Sequence, residues 1–202
     1  MCGIVGAYGW VNDDGALGEM IDCLRHRGPD DDGTFVDRDR SIMMGMRRLS
    51  IVDLEGGAQP IVNEDGTVRV VFNGEIYNHQ SLRDDLESKG HRFSTRSDTE
   101  VLVHLWEEYG ERTPEFLNGM FAFAIWDADQ ECVFLARDRL GIKPLYYADL
   151  GDRFVWGSEL QSILAANVDR TLDEAAVYNY FSLHYSPWPR TLFRGVNKLE
   201  PG

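Results

Sequence analysis

The order of strand-like and helix-like segments in this 202-residue chain predicts an α+β fold built from layered sheets. Strand-like runs predominate, and the helices come in separate groups instead of following each strand, which argues against a regular βαβ alternation. Two long apolar runs, at residues 121–126 and 132–136, are joined by a polar segment at 127–130. This arrangement predicts a hairpin that is buried on both faces.

The strands are indicated by alternating or continuous apolar residues bounded by glycine and polar turns. They are predicted, in chain order, at residues 2–8, 33–36, 41–46, 48–52, 68–72, 121–126, 132–136, 145–148 and 153–157. The strand at 68–72 is expected to end in a tight turn, because Asn73-Gly74 is the strongest short turn signal. A loop is expected through residues 56–60.

The helices are indicated by apolar residues at helical spacing. They are predicted around residues 17–24, after Asn78, from Ser97 to Tyr109, near 158–165 and at 172–182. The third is expected to begin with a capping box, in which Ser97 and Glu100 accept hydrogen bonds from each other's backbone N–H groups. Asp98 then lies in a first turn, where a carboxylate is favourable for the helix dipole alone.

The charge of the chain limits its partners. The formal net charge is −14, which argues against a nucleic acid or an anionic membrane, since both need basic patches. Lysine occurs only at Lys89, Lys143 and Lys198, whereas aspartates cluster, as at 30–32. Such a surface suits a protein that stays soluble in a salty cytoplasm, and an ordinary acidic enzyme is an equally open interpretation.

The chain has no run of 18 apolar residues, and its apolar start lacks the basic flank of a signal peptide. A cytoplasmic location without a membrane partner is therefore expected. Its cysteines, Cys2, Cys23 and Cys132, are odd in number and widely spaced, so neither a disulfide framework nor a metal site is expected. Cys23 and Cys132 are interpreted as small core residues.

Cys2 directly follows the first methionine. If Met1 is removed, one residue carries both a thiol and a free α-amine, whose ordinary pKa of about 7.7–8.0 suits it to accept the thiol proton. A thiolate is also a strong nucleophile. From Met1-Cys2 alone, a small residue buried at the start of an edge strand stays open as the alternative.

Several ordered segments carry a family resemblance. They are Met-Cys-Gly-Ile at 1–4, Arg-His-Arg-Gly-Pro-Asp at 25–30, Arg-Leu-Ser-Ile-Val-Asp at 48–53, Gly-Ala-Gln-Pro at 57–60, Asn-Gly-Glu-Ile-Tyr-Asn at 73–78, Ser-Asp-Thr-Glu at 97–100 and Ala-Arg-Asp-Arg-Leu-Gly-Ile-Lys-Pro-Leu-Tyr at 136–146. Together they resemble the N-terminal glutaminase domain of glutamine-hydrolysing asparagine synthetases, a class II glutamine amidotransferase. The resemblance implies one N-terminal-nucleophile domain over residues 1–202, folded as a four-layer αββα sandwich of two antiparallel sheets.

The resemblance also implies the roles of individual residues. Cys2 attacks the side-chain amide of glutamine, its α-amine moves the protons, and the Asn73 amide with the Gly74 N–H holds the oxyanion. Arg48 presents its donor fork to the substrate α-carboxylate, and Asp98 accepts from the α-ammonium. The implied substrate-binding residues are Arg48, Leu49, Ser50, Ile51, Val52, Asn73, Gly74, Glu75 and Asp98. The loop at 25–28 is expected to act as a lid.

The expected partners are L-glutamine and a C-terminal synthetase domain, and a homo-oligomer stays open. No Gly/Ser-rich pyrophosphate loop occurs in the chain, and in the family its last segment leads into the synthetase domain. ATP and Mg²⁺ are therefore expected only in that missing domain, with no cofactor in this chain. Two alternatives remain: a related amidotransferase acting on a sugar, lipid or cell-wall carboxylate, and an inert scaffold that docks the synthetase domain.

The acidic composition leads to a prediction about salt. The melting temperature should rise as KCl increases from low salt into the molar range, because screening weakens repulsion among exposed carboxylates. Thermal unfolding followed by circular dichroism at several KCl concentrations measures this. A melting temperature that is flat or falls over the range would contradict the prediction.

Overall fold

Two antiparallel sheets form the centre of the protein in the computed structural model, which describes residues 1–10, 15–49 and 57–202. The first sheet has the strand order β10-β8-β9-β1-β3-β2 and the second the order β4-β5-β6-β7. The strands are β1 (Gly3–Tyr8), β2 (Asp31–Asp37), β3 (Ile42–Arg48), β4 (Ile61–Val62), β5 (Val68–Ile76), β6 (Gly119–Asp127), β7 (Cys132–Arg137), β8 (Tyr146–Asp149), β9 (Phe154–Gly157) and β10 (Val196–Lys198).

Four of the five α-helices in the described ranges cover the outer faces of the sheets. The five are α1 (Ala16–Asp22), α2 (His79–Ser88), α3 (Val101–Tyr109), α4 (Leu160–Ala165) and α5 (Glu174–Leu183), with 3₁₀ turns at Asp98–Glu100 and Gly110–Phe116. Helices α1 and α4 pack on the first sheet, and α2 and α3 pack on the second. The predicted αββα sandwich is therefore confirmed. Within the described ranges no helix is long and apolar enough to cross a membrane.

The alternation of side chains along the central strands builds three apolar layers. In β6, Phe121, Phe123 and Ile125 face the helices α2 and α3. The residues between them, Ala122, Ala124 and Trp126, face the other sheet, because successive side chains of a strand point to opposite faces. Both faces of β6 are thus buried, as its unbroken apolar sequence predicts. The partner β7 differs from the prediction, since Cys132 to Leu135 are only half-buried.

The same alternation brings the predicted nucleophile and the predicted oxyanion donor to one face. Ile4 of β1 and Val71 of β5 both lie in the layer between the sheets. Cys2 precedes Ile4 by two residues and packs against this layer, and Asn73 follows Val71 by two residues. Both side chains therefore project from the inner faces of the sandwich, Cys2 just before β1 and Asn73 within β5.

The tight turn predicted at Asn73-Gly74 is wrong. Strand β5 continues to Ile76, and Asn73 and Gly74 pair with Ala122 and Phe121 of β6. The long apolar β6 supplies a continuous ladder of backbone partners, which outweighs the local turn preference of the dipeptide. The two strands predicted at 41–46 and 48–52 are also different: β3 runs unbroken from Ile42 to Arg48, and residues 50–52 lie outside the described ranges.

The predicted capping box forms only in part. Ser97 Oγ accepts from the N–H of Thr99 at 3.2 Å, which starts the 3₁₀ turn ahead of α3. The Glu100 carboxylate accepts four hydrogen bonds of 2.6–2.8 Å, from the N–H and hydroxyl groups of Ser94 and Thr95. These four donors satisfy a buried charge better than the single N–H of Ser97 would. Glu100 thus fixes the loop that leads into Ser97.

The two cysteines expected in the core are only partly buried. Cys23 and Cys132 are free thiols of intermediate exposure, and Cys132 packs at the margin of the layer under α3. Burial raises the pKa of both thiols, so they remain protonated near neutral pH.

Replacing Glu100 with glutamine should destabilise the fold by about 3 kcal/mol, because two of the four buried donors lose their acceptor and the charge is lost. Urea unfolding of the variant and the parent measures the difference. The control is Glu87→Gln, which removes an exposed carboxylate paired with Arg83 and should change stability by about 0.5 kcal/mol or less. Equal effects of the two substitutions would contradict the role given to Glu100.

Candidate active site

A cavity of about 170 Å³ lies at the ends of β1, β3 and β5. Every predicted site residue within the described ranges lines it. These residues are Cys2, Arg48, Leu49, Asn73, Gly74, Glu75 and Asp98. The remaining three, Ser50, Ile51 and Val52, lie outside the described ranges. Residues from four separate parts of the chain therefore meet in one place, and their individual roles stay predictions.

The Cys2 thiol is held by the backbone at the end of β3. The Leu49 N–H donates to Cys2 Sγ at 3.4 Å, and Sγ lies 3.8 Å from the Leu49 carbonyl oxygen. The N–H of Ile4, two residues on, donates to Ser158 Oγ at 3.0 Å. These contacts place the sulfur at the wall of the cavity, with a donor already directed at it.

The loop predicted to be a lid is anchored to the N-terminus. Arg27 donates through Nε to the Cys2 carbonyl oxygen at 2.9 Å, and its Nη1 pairs with Glu159 at 3.0 Å. A Cβ at Gly28 would lie 2.3 Å from the backbone carbon of Arg47, so only glycine packs this closely against β3. Opening of this loop would therefore have to break a partly buried ion pair.

Two donors face the cavity from β5. Asn73 is 1 % exposed, and its Nδ2 has no hydrogen-bond partner among the described residues. The N–H groups of Phe72 and Ile76 donate away from β6, to Gln59 Oε1 at 2.7 Å and to Asp98 Oδ2 at 2.9 Å. Because alternate N–H groups of a strand point the same way, the Gly74 N–H between them points toward the cavity as well.

The glycine at position 74 also has a packing reason. A Cβ there would lie 2.3 Å from the Met120 carbonyl oxygen and 2.8 Å from the Phe121 Cα of β6. Any side chain at this position would push β5 away from β6. The predicted donor therefore lies on backbone that the sandwich holds rigidly.

Two carboxylates give the cavity negative charge. Burial raises the pKa of Asp98, against the opposing effect of the Ile76 hydrogen bond. Burial also raises the pKa of Glu75, with a further rise from the charge of Asp98 and a smaller opposing effect from Lys143. Both groups lose solvation without gaining a full counter-charge within the described residues, so a bound cationic group would relieve the cost.

The predicted site set omits four polar residues that line the cavity, Gln59, Ser97, Thr99 and Lys143. Gln59 accepts from Phe72 and so closes one edge of β5. Lys143 is 5 % exposed, and its Nζ lies 3.5 Å from Met1 Sδ. Each lies in a segment that carries the family resemblance, which was the available signal. Their direction into the cavity depends on contacts between segments, such as the hydrogen bond from the Phe72 N–H to Gln59 Oε1.

Fold and site together define a class of protein. It is an αββα sandwich in which a cysteine near the N-terminus lines one cavity with charged side chains and with an amide donor that has no partner in the described part of the chain. The sequence model of the glutamine amidotransferase domain matches residues 1–202, and the chain belongs to this family. The resemblance inferred from the sequence is confirmed.

Two curated relatives show which members of this family the chain resembles. The chain is 43 % identical to asparagine synthetase [glutamine-hydrolyzing] 1 of Bacillus subtilis over all of its own length and 33 % of that protein. It is 44 % identical to asparagine synthetase 3 of Arabidopsis thaliana over 81 % of this chain and 28 % of that protein. The chain thus spans about one third of the length of these curated relatives.

A solved structure supports the fold. Glutamine phosphoribosylpyrophosphate amidotransferase from B. subtilis superposes with a TM-score of 0.68 at 24 % identity, over 82 % of this chain and 44 % of that one. At this identity the similarity concerns the arrangement of the sheets and helices.

The raised pKa of Asp98 predicts a pH effect on stability. Above the ordinary value of 3.8 the unfolded chain releases this proton first, so the native state binds more protons and loses stability as pH rises toward its raised pKa. Asp98→Asn removes this loss. The unfolding free energy of the variant minus that of the parent should therefore increase from about pH 4 to pH 7 in urea denaturation.

The matched control has the opposite sign. The pKa of exposed Asp169 is lowered, chiefly by the Thr171 hydroxyl, so Asp169→Asn should lose relative stability as pH rises through that carboxyl's titration. A difference for Asp98→Asn that is flat or falls with pH would contradict the burial of an ionised group at this position.

Proposed function

We propose that this chain is the glutaminase domain of an asparagine synthetase and hydrolyses L-glutamine to glutamate and ammonia. The observation that carries the proposal is the shared cavity, which Cys2, Asn73, Arg48 and Asp98 all line. The Asn73 amide nitrogen has no hydrogen-bond partner among the described residues. One small ligand in this cavity could therefore contact the nucleophile, the oxyanion donors, and side chains that match the α-carboxylate and the α-ammonium of an amino acid.

In the proposed reaction, the Cys2 thiolate attacks the side-chain amide carbon of glutamine. The α-amine of Cys2 takes the thiol proton and passes it to the leaving nitrogen, the C–N bond breaks, and ammonia departs. A γ-glutamyl thioester remains on the sulfur. Water then attacks the thioester, the C–S bond breaks, and glutamate and the free thiol are formed.

The charge that develops on the amide oxygen would be held by Asn73 Nδ2 and the Gly74 N–H. Both are fixed by β5, so they need no reorganisation when the tetrahedral intermediate forms. A preorganised donor of this kind contributes about 3–4 kcal/mol to catalysis. Asn73 Nδ2 has no partner among residues 1–10, 15–49 and 57–202, which supports this role, since an unpaired buried donor is costly to the free protein.

Glutamine enters as a zwitterion, so its pocket must satisfy both charges. Arg48 at the end of β3 would bind the α-carboxylate with its fork, and Asp98 would accept from the α-ammonium. Glu75 and backbone of residues 49–52 would complete the pocket. The raised pKa values of Glu75 and Asp98 support a cationic ligand there, because the ammonium would repay part of their lost solvation.

Met1 occupies the mouth of the cavity when it is present. Its amine donates to the Arg27 carbonyl oxygen at 3.2 Å, and it is 57 % exposed, which leaves it accessible to an aminopeptidase. Removal of Met1 would free the Cys2 amine beside the sulfur and release Lys143 Nζ from its contact with Met1 Sδ.

The proposal also includes the use of the released ammonia by a second domain. A C-terminal synthetase domain would use ATP and Mg²⁺ to activate aspartate and receive the ammonia. The names of the curated relatives, glutamine-hydrolysing asparagine synthetases, support asparagine as the product. The three free cysteines suit a reducing cytoplasm. An acceptor other than aspartate, namely a sugar, lipid or cell-wall carboxylate, remains the alternative, and so does a scaffold without activity.

Cys2→Ala should lower glutamate release by at least about 10⁴-fold, because the thioester cannot form. The same chain isolated with Met1 retained, as verified by intact mass, should be similarly inactive. Steady-state glutamate formation measures both. Cys23→Ala is the matched control and should retain activity, since that thiol lies at the end of α1. Turnover of the Met1-retained chain at the parent's rate would exclude the N-terminal amine as base.

Hydrolysis and transfer should separate in this chain. We expect the 202-residue protein to release ammonia from glutamine slowly and to form no asparagine from aspartate, ATP and Mg²⁺. Amino-acid analysis of the reaction measures this, and a full-length polypeptide that contains the chain serves as the comparison. Asparagine made by the isolated chain would overturn the assignment of domains, and a full-length protein that aminates another carboxylate would favour the alternative acceptor.

A further inference from the structure

Four potential metal ligands converge on the outer side of the second sheet. Glu64 comes from the turn between β4 and β5, His91 from the segment after α2, and His104 and Glu107 from α3, where they are three residues apart on one face. Their ligand atoms all lie within 4.8 Å of one another. None of the four lines the active-site cavity. We refer to them as the α3 cluster.

The spacing of the α3 cluster fits a tetrahedral ion. His104 Nδ1 lies 2.9 Å from Glu107 Oε2 and 3.5 Å from Glu64 Oε2. His91 Nδ1 lies 3.5 Å from the same Glu107 oxygen. Zinc bonds to imidazole and carboxylate of about 2.0–2.2 Å require ligand atoms about 3.3–3.6 Å apart in a tetrahedron. Of these three contacts, the two of 3.5 Å already fit, and the His104–Glu107 contact must lengthen by a few tenths of an ångström.

Second partners direct both carboxylates inward. Glu64 uses Oε1 to accept from the Arg92 N–H at 2.8 Å, and Glu107 uses Oε1 to accept from Asn63 Nδ2 at 2.9 Å. Each carboxylate therefore presents its other oxygen, Oε2, to the cluster. Such outer contacts are typical of metal sites, where they hold the ligands in position.

An outer partner directs one of the two imidazoles, and burial holds the other. His91 Nε2 is 3.2 Å from Glu108 Oε1, a contact that places the proton on Nε2 and leaves the Nδ1 lone pair for the cluster. His104 is 0 % exposed, and its Nε2 has no hydrogen-bond partner among the described residues. Within the described residues, the His104 ring makes its hydrogen-bond and ion-pair contacts through Nδ1, which faces Glu64 and Glu107.

The charge balance also favours a cation. Glu64, Glu107 and Glu108 surround two imidazoles, and Lys89 reaches Glu108 at 3.7 Å while it pairs more closely with Asp85 at 3.0 Å. A divalent ion at the point where the Oε2 and Nδ1 atoms meet would offset this negative charge. Two imidazoles and two carboxylates suit zinc better than Ca²⁺ or Mg²⁺, which prefer six or more oxygen ligands.

We propose that Glu64, His91, His104 and Glu107 bind one zinc ion in a closed, structural site. The ion connects the β4–β5 turn and the segment after α2 to helix α3. This segment continues through Ser94 and Thr95, which Glu100 holds, to Ser97 and Asp98 in the cavity wall. The zinc site therefore stabilises the segment between α2 and α3, which carries part of the cavity wall. It takes no part in the chemistry of the cavity, and the proposal is independent of the proposed glutaminase activity.

The experiment uses the untagged 202-residue chain with Cys2→Ser, so that the reactive thiol cannot bind the probe. After removal of metals with EDTA and dialysis, Zn²⁺ is titrated against a chromophoric chelator. We expect one tightly bound zinc per chain and a higher melting temperature with Zn²⁺ than with EDTA. Cobalt in place of zinc should give the strong visible absorption of a tetrahedral site.

Variants locate the site. Glu64→Gln keeps the hydrogen bond to Arg92 and loses a charged ligand, so zinc affinity should fall by about 100-fold or more. Glu108→Gln alters an outer contact, which typically costs about 10–100-fold. Glu115→Gln, an exposed carboxylate paired with Arg112, is the control and should leave affinity unchanged. His104 is not substituted, because a change at this fully buried residue could abolish folding as well as zinc binding, and the two effects could not be told apart.

Three results would overturn the proposal. The first is absence of stoichiometric zinc binding to a folded chain, which would leave the α3 cluster as a hydrogen-bonded His–Glu network. The second is binding that Glu64→Gln and Glu108→Gln do not weaken. The third is binding that Glu115→Gln weakens as much as Glu64→Gln does, since this would indicate nonspecific attraction to an acidic surface.

Discussion

The packing of the two sheets face to face is the interaction on which the rest of the structure depends. Ile4, Met44, Val71, Trp126 and Trp156 are each at most 2 % exposed and lie in the layer between the sheets. This burial fixes which face of every central strand points inward. Because Cys2 and Asn73 follow the same alternation, the register that buries the core also brings them to one cavity. A slip of one residue in β1 or β5 would turn one of them to the opposite face.

The cavity contains charged side chains whose burial costs the folded protein free energy. Arg48, Glu75, Asp98 and Lys143 line a small space where solvation is reduced, and the raised pKa values of Glu75 and Asp98 report its cost. Such a cost is typical of binding sites, which need charged groups ready before the ligand arrives. A zwitterionic amino acid supplies a counter-charge to both kinds of group, so the ligand we propose would stabilise the site it enters.

Support for the cavity wall extends well beyond the residues that line it. Asp98 begins a 3₁₀ turn whose preceding loop is held by the four hydrogen bonds to Glu100. The α3 cluster lies at the other end of that loop, where His91 meets Glu107. The segment between α2 and α3 is thus fixed at two points. This explains how irregular backbone can place a carboxylate accurately enough to accept from the Ile76 N–H.

By itself, the sequence determined the fold class, most of the strands and helices, and seven of the residues that meet in the cavity. Apolar runs at 121–126 and 132–136 and the segments around Cys2, Arg48, Asn73 and Asp98 are local features, and local spacing and motif carry that information. They also sufficed to identify the family. The acidic composition was likewise evident without any structure.

Only the tertiary structure decided how competing local preferences resolve. Asn73-Gly74 has the composition of a turn, yet it lies within β5 because β6 offers it a continuous ladder. Glu100 has the spacing of a capping box, yet its carboxylate accepts hydrogen bonds from Ser94 and Thr95. A buried carboxylate needs several donors, and the start of the helix offers only one. Gln59 and Lys143 entered the cavity, and Glu64, His91, His104 and Glu107 came together, through contacts between residues far apart in the chain. Such contacts depend on how the sheets and helices pack, and no local pattern in the sequence specifies them.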